Sequence, residues 1–212
     1  MSGLLVKEYY ALRRYAKQYV LLFIFFGALS IYMESMLYFQ CMVTMSMCML
    51  IFTGMSYDTL AGWDKFVLTM PVNRKDIVGS KYLCCIIYAI FAIIASTLFS
   101  AVLGYIHPMK DDDLMLLAVT AAALLCIIFL IYSILIPLIY KLGVEKTRIV
   151  MIAVIMIPIF GLMSIYQYIP ASAWEFIEQH IGLMAAAGAA FCVLVYIISY
   201  FVSLSIFNKK EY

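Results

Sequence analysis

The sequence predicts an all-α, polytopic membrane protein with six transmembrane helices and both termini in the cytoplasm. Three observations predict it. The first is composition: 67% of the 212 residues are hydrophobic, 12% are charged, and mean hydropathy is +1.06. A soluble domain is about half apolar and about a quarter charged, and at roughly 200 residues it still leaves about 30% of its chain surface in water. Lipid must therefore be the solvent for much of this chain. The second is a series of apolar runs near the roughly 20 residues that a span requires. Six spans take up roughly 120 to 135 residues, and the remainder is too small for a second folded domain. Residues 1–212 therefore read as a single transmembrane domain. The third is the placement of Lys and Arg, which the walk along the chain brings out.

Residues 1–18 hold Lys7, Glu8, Arg13, Arg14 and Lys17 ahead of any long apolar run. No small-residue cleavage site follows the first span, so this is not read as a signal peptide. Leu4, Leu5, Glu8, Leu12 and Tyr15 fall near one face at helical spacing, with Lys7, Arg14 and Lys17 elsewhere. The pattern predicts a basic amphipathic helix lying on the inner membrane surface. Between Lys17 and Asp58 there is room for two spans, Gln18 to Met33 and Met36 to Tyr57, with Glu34 at the outer turn. A carboxylate there stays hydrated and avoids the cost of mid-bilayer burial.

Residues 58–80 form the longest polar stretch. Span three covers Lys81 to Ile106, span four Leu114 to Tyr140, span five Ile149 to Tyr168 and span six Leu183 to Phe207. Pro158 at the middle of span five removes a backbone hydrogen bond and predicts a kink. Residues 170–182 keep Trp174, Ile177 and Ile181 on one face, and Ser172 with Glu175 fits a capping box. A short external helix in the interface is expected there. Of the fourteen Lys and Arg, thirteen fall in four segments: the N-terminus, the loops after spans two and four, and the C-terminus. Lys110 alone lies on the other side. Lys and Arg concentrate in cytoplasmic segments, and six spans place these four segments together.

The loop after span two carries the most information. Trp63, Phe66, Val67 and Met70 fall at i, i+3, i+4 and i+7, one face of a helix, with Asp64, Lys65 and Thr69 elsewhere. Pro71 ends the segment, and Asn73 is placed to cap the next helix with Asp76 in its first turn. Two readings are open: a helix covering the end of its own bundle, or one whose Trp63 and Phe66 enter a groove on a cytoplasmic partner.

This stretch resembles the cytoplasmic loop of small ABC-2 type permeases, the membrane subunits of ATP-driven exporters. The shared run is carried here by Trp63, Thr69, Pro71, Val72, Arg74, Ile77, Val78, Ser80, Lys81 and Tyr82. The six-span layout and the two interfacial helices are also similar to that family, and within it to the permeases of peptide exporters such as those for phenol-soluble modulins. The resemblance implies a coupling helix at about Thr59 to Met70, docked on a separate cytoplasmic ATPase. Trp63, Asp64, Phe66, Val67, Met70, Pro71 and Arg74 are then the coupling residues. It also implies two permeases, identical or related, pairing with two ATPases in the plasma membrane.

No phosphate-binding G-x-x-x-x-G-K-[ST] loop occurs, so the chain is expected to be no enzyme and to hold no cofactor. ATP and Mg²⁺ would be bound by the partner. The net charge of +2 gives no support to a nucleic-acid partner. The six cysteines lie in apolar stretches and read as reduced core or lipid-facing residues. Met42, Met45, Met47 and Met49 with Cys41 and Cys48 do not share a face, which disfavours a soft-metal path. His107 and His180 both fall in outer loops, which disfavours a membrane protease. Ion coupling calls for ionisable residues deep in a span, and none of the six has one. A path without buried charge suits an apolar or amphipathic cargo, a peptide first, then a lipid or drug, with Tyr32, Glu34 and Tyr38 as candidate exit residues. The alternative is a non-transport membrane scaffold or sensor subunit.

Overall fold

A computed structural model describes residues 2–13, 16–67, 69–106, 114–166 and 181–209. The regular elements among them are all α-helices: α1 (Ser2–Arg13), α2 (Ala16–Met33), α3 (Met36–Leu60), α4 (Trp63–Val67), α5 (Arg74–Ile106), α6 (Leu114–Leu142), α7 (Val144–Tyr166) and α8 (Ile181–Lys209). The external helix expected over 170–182 lies outside the described residues, apart from the start of α8.

Among the described residues, four helices are long and apolar enough to cross a membrane: Met36–Leu60, Arg74–Tyr105, Met115–Leu142 and Ala185–Lys209. α2 is apolar over the shorter stretch Lys17–Met33. At 1.5 Å per residue its 18 residues reach about 27 Å, close to the ~30 Å of hydrocarbon in a bilayer. α7 carries Glu145, Lys146 and Arg148 in its first turns and is apolar thereafter. Pro137 and Pro158 both sit inside continuous helices.

Contacts divide the chain inside α6, after Ile128, into two compact units. In the first, α2 and α3 form an antiparallel hairpin. Its turn is held by Ser30 Oγ donating to the Ser35 carbonyl at 2.9 Å, and its other end by Tyr19 Oη donating to the Ser46 carbonyl at 3.3 Å. α5 lies antiparallel along α3. Phe23, Phe39 and Phe99 join the three helices, with ring centroids 5.0 to 6.1 Å apart, and Leu50 and Ala92 pack beside Tyr19 and Phe23.

Polar side chains add to this apolar core. Gln40 is fully buried. Its amide donates to Thr97 Oγ1 and to the Leu117 carbonyl, each at 3.2 Å, and its Oε1 accepts from Thr120 Oγ1 at 2.7 Å. One side chain thus ties α3 to α5 and to the start of α6. In a bilayer such interhelical bonds replace water that is absent.

In the second unit the later half of α6 packs against α8. Phe129 meets Tyr196 at 5.2 Å, Ser199 Oγ donates to the Ser133 carbonyl at 2.6 Å, and Tyr140 meets Phe207 at 5.4 Å. Both numbers rise together along these pairs, so α6 and α8 run parallel. Parallel neighbours require the chain between them to travel back the length of α6. α7 is the long helix in that connection, and Ile149, Ile152, Ile157 and Phe160 along it are exposed. An apolar helix with so much exposed apolar surface is suited to a lipid surround.

Candidate functional site: a charge quartet beside the Trp63 turn

α3 outruns α2. Its 25 residues reach about 37 Å, and α1 packs against its far end and against the start of α5. α3 stops at Leu60 because the chain turns there: Ala61 N–H donates to the Tyr57 carbonyl at 2.9 Å, and Gly62 takes φ +64°. That left-handed conformation favours glycine, the usual residue just past a helix end. The helix expected over Thr59 to Met70 is therefore corrected. Thr59 and Leu60 complete α3, and the separate helix α4 is a short one at Trp63–Val67. Turn hydrogen bonds from Thr69 N–H to the Phe66 carbonyl (3.1 Å) and from Met70 N–H to the Val67 carbonyl (3.2 Å) carry it on. α5 starts directly after Asn73 with Asp76 in its first turn, as the sequence implies. Lys81 lies about 10 Å into it.

Four charged side chains meet where α1, α3 and α5 converge. Lys7 Nζ donates to Asp58 Oδ1 and, at 3.2 Å, to Glu8 Oε1. Lys81 Nζ donates to Glu8 Oε1 and to Asp58 Oδ2. The order Lys7–Glu8–Lys81–Asp58 closes on itself with alternating sign, so the quartet is neutral. It is also withdrawn from solvent: the side chains of Lys81, Glu8 and Asp58 are 9, 10 and 14% exposed, and that of Lys7 26%. Buried charges are tolerated when paired and hydrogen-bonded, and here each carboxylate has two cations. Glu8 reaches this place beside the bare backbone of Gly54, where a Cβ would stand 3.8 Å from Oε2.

Lys7 has one more partner. Its ammonium lies 4.6 Å from the centroid of the Trp63 indole, a cation–π distance. The expected stripe on the loop helix is thus split by the fold. Val67 is fully buried, Trp63 and Met70 are half-buried, and Phe66 is 56% exposed. The Phe66 ring leans on Trp63 at 5.7 Å. Leu60 and Tyr57, on the last turn of α3, are also exposed. Pro71 is exposed and Arg74 half-buried; the Asp64 side chain lies outside the described residues. The later residues of the shared run, Ile77, Val78, Ser80, Lys81 and Tyr82, are all buried at the start of α5.

The family model for an ABC-2 family transporter protein matches residues 3–208. The chain belongs to the ABC-2 transporter family. No curated protein and no solved structure matches it.

Within this ABC-2 chain, the structure brings Trp63 together with residues that the sequence reading placed elsewhere. By sequence pattern alone Lys7 falls off the apolar face of α1, Lys81 opens span three, and Asp58 begins the polar loop. One signal was available in the sequence: Glu8 shares a face with Leu4 and Leu12, and a carboxylate on an apolar stripe calls for a buried cation. At the opposite end of the α2–α3 hairpin, Tyr32, Glu34 and Tyr38 are all exposed. Glu34 occupies the tight turn with φ +51°, an uncommon conformation for a residue other than glycine.

Proposed function

We propose that this chain is the membrane-spanning permease subunit of an ATP-driven exporter, coupled to a separate cytoplasmic ATPase of the ABC type. The observation that carries the reading is a family match over nearly the whole chain to an ABC-2 transporter protein. The geometry supports it. A short turn is clamped to the bundle by Val67 and the charge quartet while Phe66, Leu60 and Tyr57 face outward, the arrangement a docking element needs. Aromatic anchors entering a partner's pocket dominate most interfaces.

The same reading takes α2 and α7 as spans beside the four longer apolar helices, giving six. The parallel run of α6 and α8 supports this, since the chain between them, which holds α7, has to travel back the length of α6. The concentration of Lys and Arg then puts both termini, the quartet and the Trp63 turn in the cytoplasm, at the plasma membrane. Glu34, Tyr32 and Tyr38 face the exit side. ATP and Mg²⁺ belong to the partner ATPase, and two permeases, identical or related, complete the transporter. Cargo is amphipathic or hydrophobic, a peptide first: the sequence from Leu83 to Ile106 and from Met36 to Tyr57 contains no charged residue, which suits apolar passage better than ion coupling.

The test is reconstitution of the full chain with a candidate ABC-type ATP-binding subunit from the same organism. The proposal expects co-purification, ATP hydrolysis that depends on the permease, and loss of that dependence in Phe66→Ala. A non-transport scaffold would give hydrolysis indifferent to both the chain and Phe66.

A further inference from the structure

We infer that Lys7 of the N-terminal helix is a positioning residue for Trp63, and through it sets how the turn presents Phe66. α4 is only five residues long, too short to hold its own orientation, since isolated helices of a turn or so are unstable in water. Something outside it must fix the turn. Val67 supplies one anchor by burial. The second comes from α1. Lys7 pairs with Asp58 on the last turns of α3 and with its neighbour Glu8, and lies against the Trp63 indole. One ammonium therefore joins α1, the end of α3 and α4. Asp58 and Glu8 hold Lys7 in place, and Lys81 holds both carboxylates from α5.

The consequence is a division of labour within the aromatic pair. The indole of Trp63 is half-buried and engaged from within the chain, while Phe66 leans on it and projects outward. Trp63 is an internal brace, and Phe66, with Leu60, is the outward anchor. The positional claim stands on geometry alone; its effect on coupling rests on the permease reading above.

The chain has two tryptophans, so Trp174→Phe leaves Trp63 as the single tryptophan in the full-length protein in nanodiscs, read by excitation on the red edge of the indole band, beyond tyrosine absorption. Lys7→Met removes the cation, and losing a cation–π contact lowers the docked-to-undocked ratio of the indole about fivefold. The result expected is stronger acrylamide quenching and a red-shifted emission, with Lys7→Arg close to the parent. Lys7→Met with Asp58→Asn leaves the Glu8–Lys81 pair neutral, so it guards against misfolding, and it should show the same rise. Unchanged quenching in the neutral double variant, or Lys7→Arg behaving like Lys7→Met, overturns the inference. Hydrolysis by the added ATP-binding subunit is read in parallel. Fluorescence that shifts as expected beside a partner indifferent to the chain sinks the permease reading and leaves the positioning claim standing.

Discussion

Lys81→Met is the sharpest test of the charge quartet. Lys81 is the least exposed of the four side chains, at 9%, and pairs with both Glu8 and Asp58. Methionine keeps its length and apolar stem but removes the ammonium. Two carboxylates that are 10 and 14% exposed are then left with Lys7 alone. Removing one partner of a buried pair costs about 3–5 kcal/mol, because the remaining charge is stranded. For a chain of this size about 2–4 °C of melting temperature accompanies each kcal/mol, so the midpoint should fall by roughly 6–20 °C. The assay is thermal melting of the detergent-solubilised full chain. Lys81→Met with Glu8→Gln restores neutrality, leaving Lys7 with Asp58, and should recover most of the loss. Swapping the pair, Glu8→Lys with Lys81→Glu, should not rescue, because in an alternating circuit it sets Lys beside Lys7 and Glu beside Asp58. A fall below about 2 °C for Lys81→Met, or a neutral pair no better than the single change, would refute the reasoning.

Two further outcomes follow from the packing. Gln40→Leu removes the bonds joining α3 to Thr97 and to Leu117 and Thr120 of α6; at about 0.6 kcal/mol per interhelical bond it should destabilise by about 1–2 kcal/mol, seen as a lower melting midpoint. Val67→Ala and Phe66→Ala should separate stability from coupling. Val67 is fully buried, and its truncation should cost about 1–3 kcal/mol, whereas exposed Phe66 should change melting by no more than about 0.5 kcal/mol while abolishing stimulated hydrolysis by the ATP-binding subunit.

The helices were legible because their cause is local. Apolar runs bounded by Glu34, by the polar loop after Asp58 and by the charges at Lys141–Arg148 predict α2, α3, α6 and α8 within a few residues at each end, while α5 begins at Arg74, ahead of its apolar run and where Asn73 predicts a helix start, and α7 begins at Val144, ahead of Ile149. The turn was legible through Pro71 and Asn73, yet the length of α4 was not: the periodicity of Trp63, Phe66, Val67 and Met70 runs on past Val67, where α4 ends, and gives no sign of the left-handed Gly62 that separates α4 from α3. The quartet was least legible. Lys81 and Glu8 are 73 residues apart, and only the docking of α1 against α3 and α5 makes them neighbours. Each charge alone has an ordinary explanation at a membrane surface. The direction of α8 along α6 is equally tertiary, because it depends on which faces of two uniformly apolar helices meet.

The central claim is that the turn bearing Phe66 docks on a separate ATPase. A photo-crosslinking amino acid placed at Phe66 in the full chain, activated in native membranes and followed by mass spectrometry of the adduct, tests it most directly. The account predicts an adduct with a polypeptide that carries a phosphate-binding loop, lost when that polypeptide is deleted. Adducts with lipid or with other copies of this chain alone, from a transporter that still moves its cargo, would contradict it.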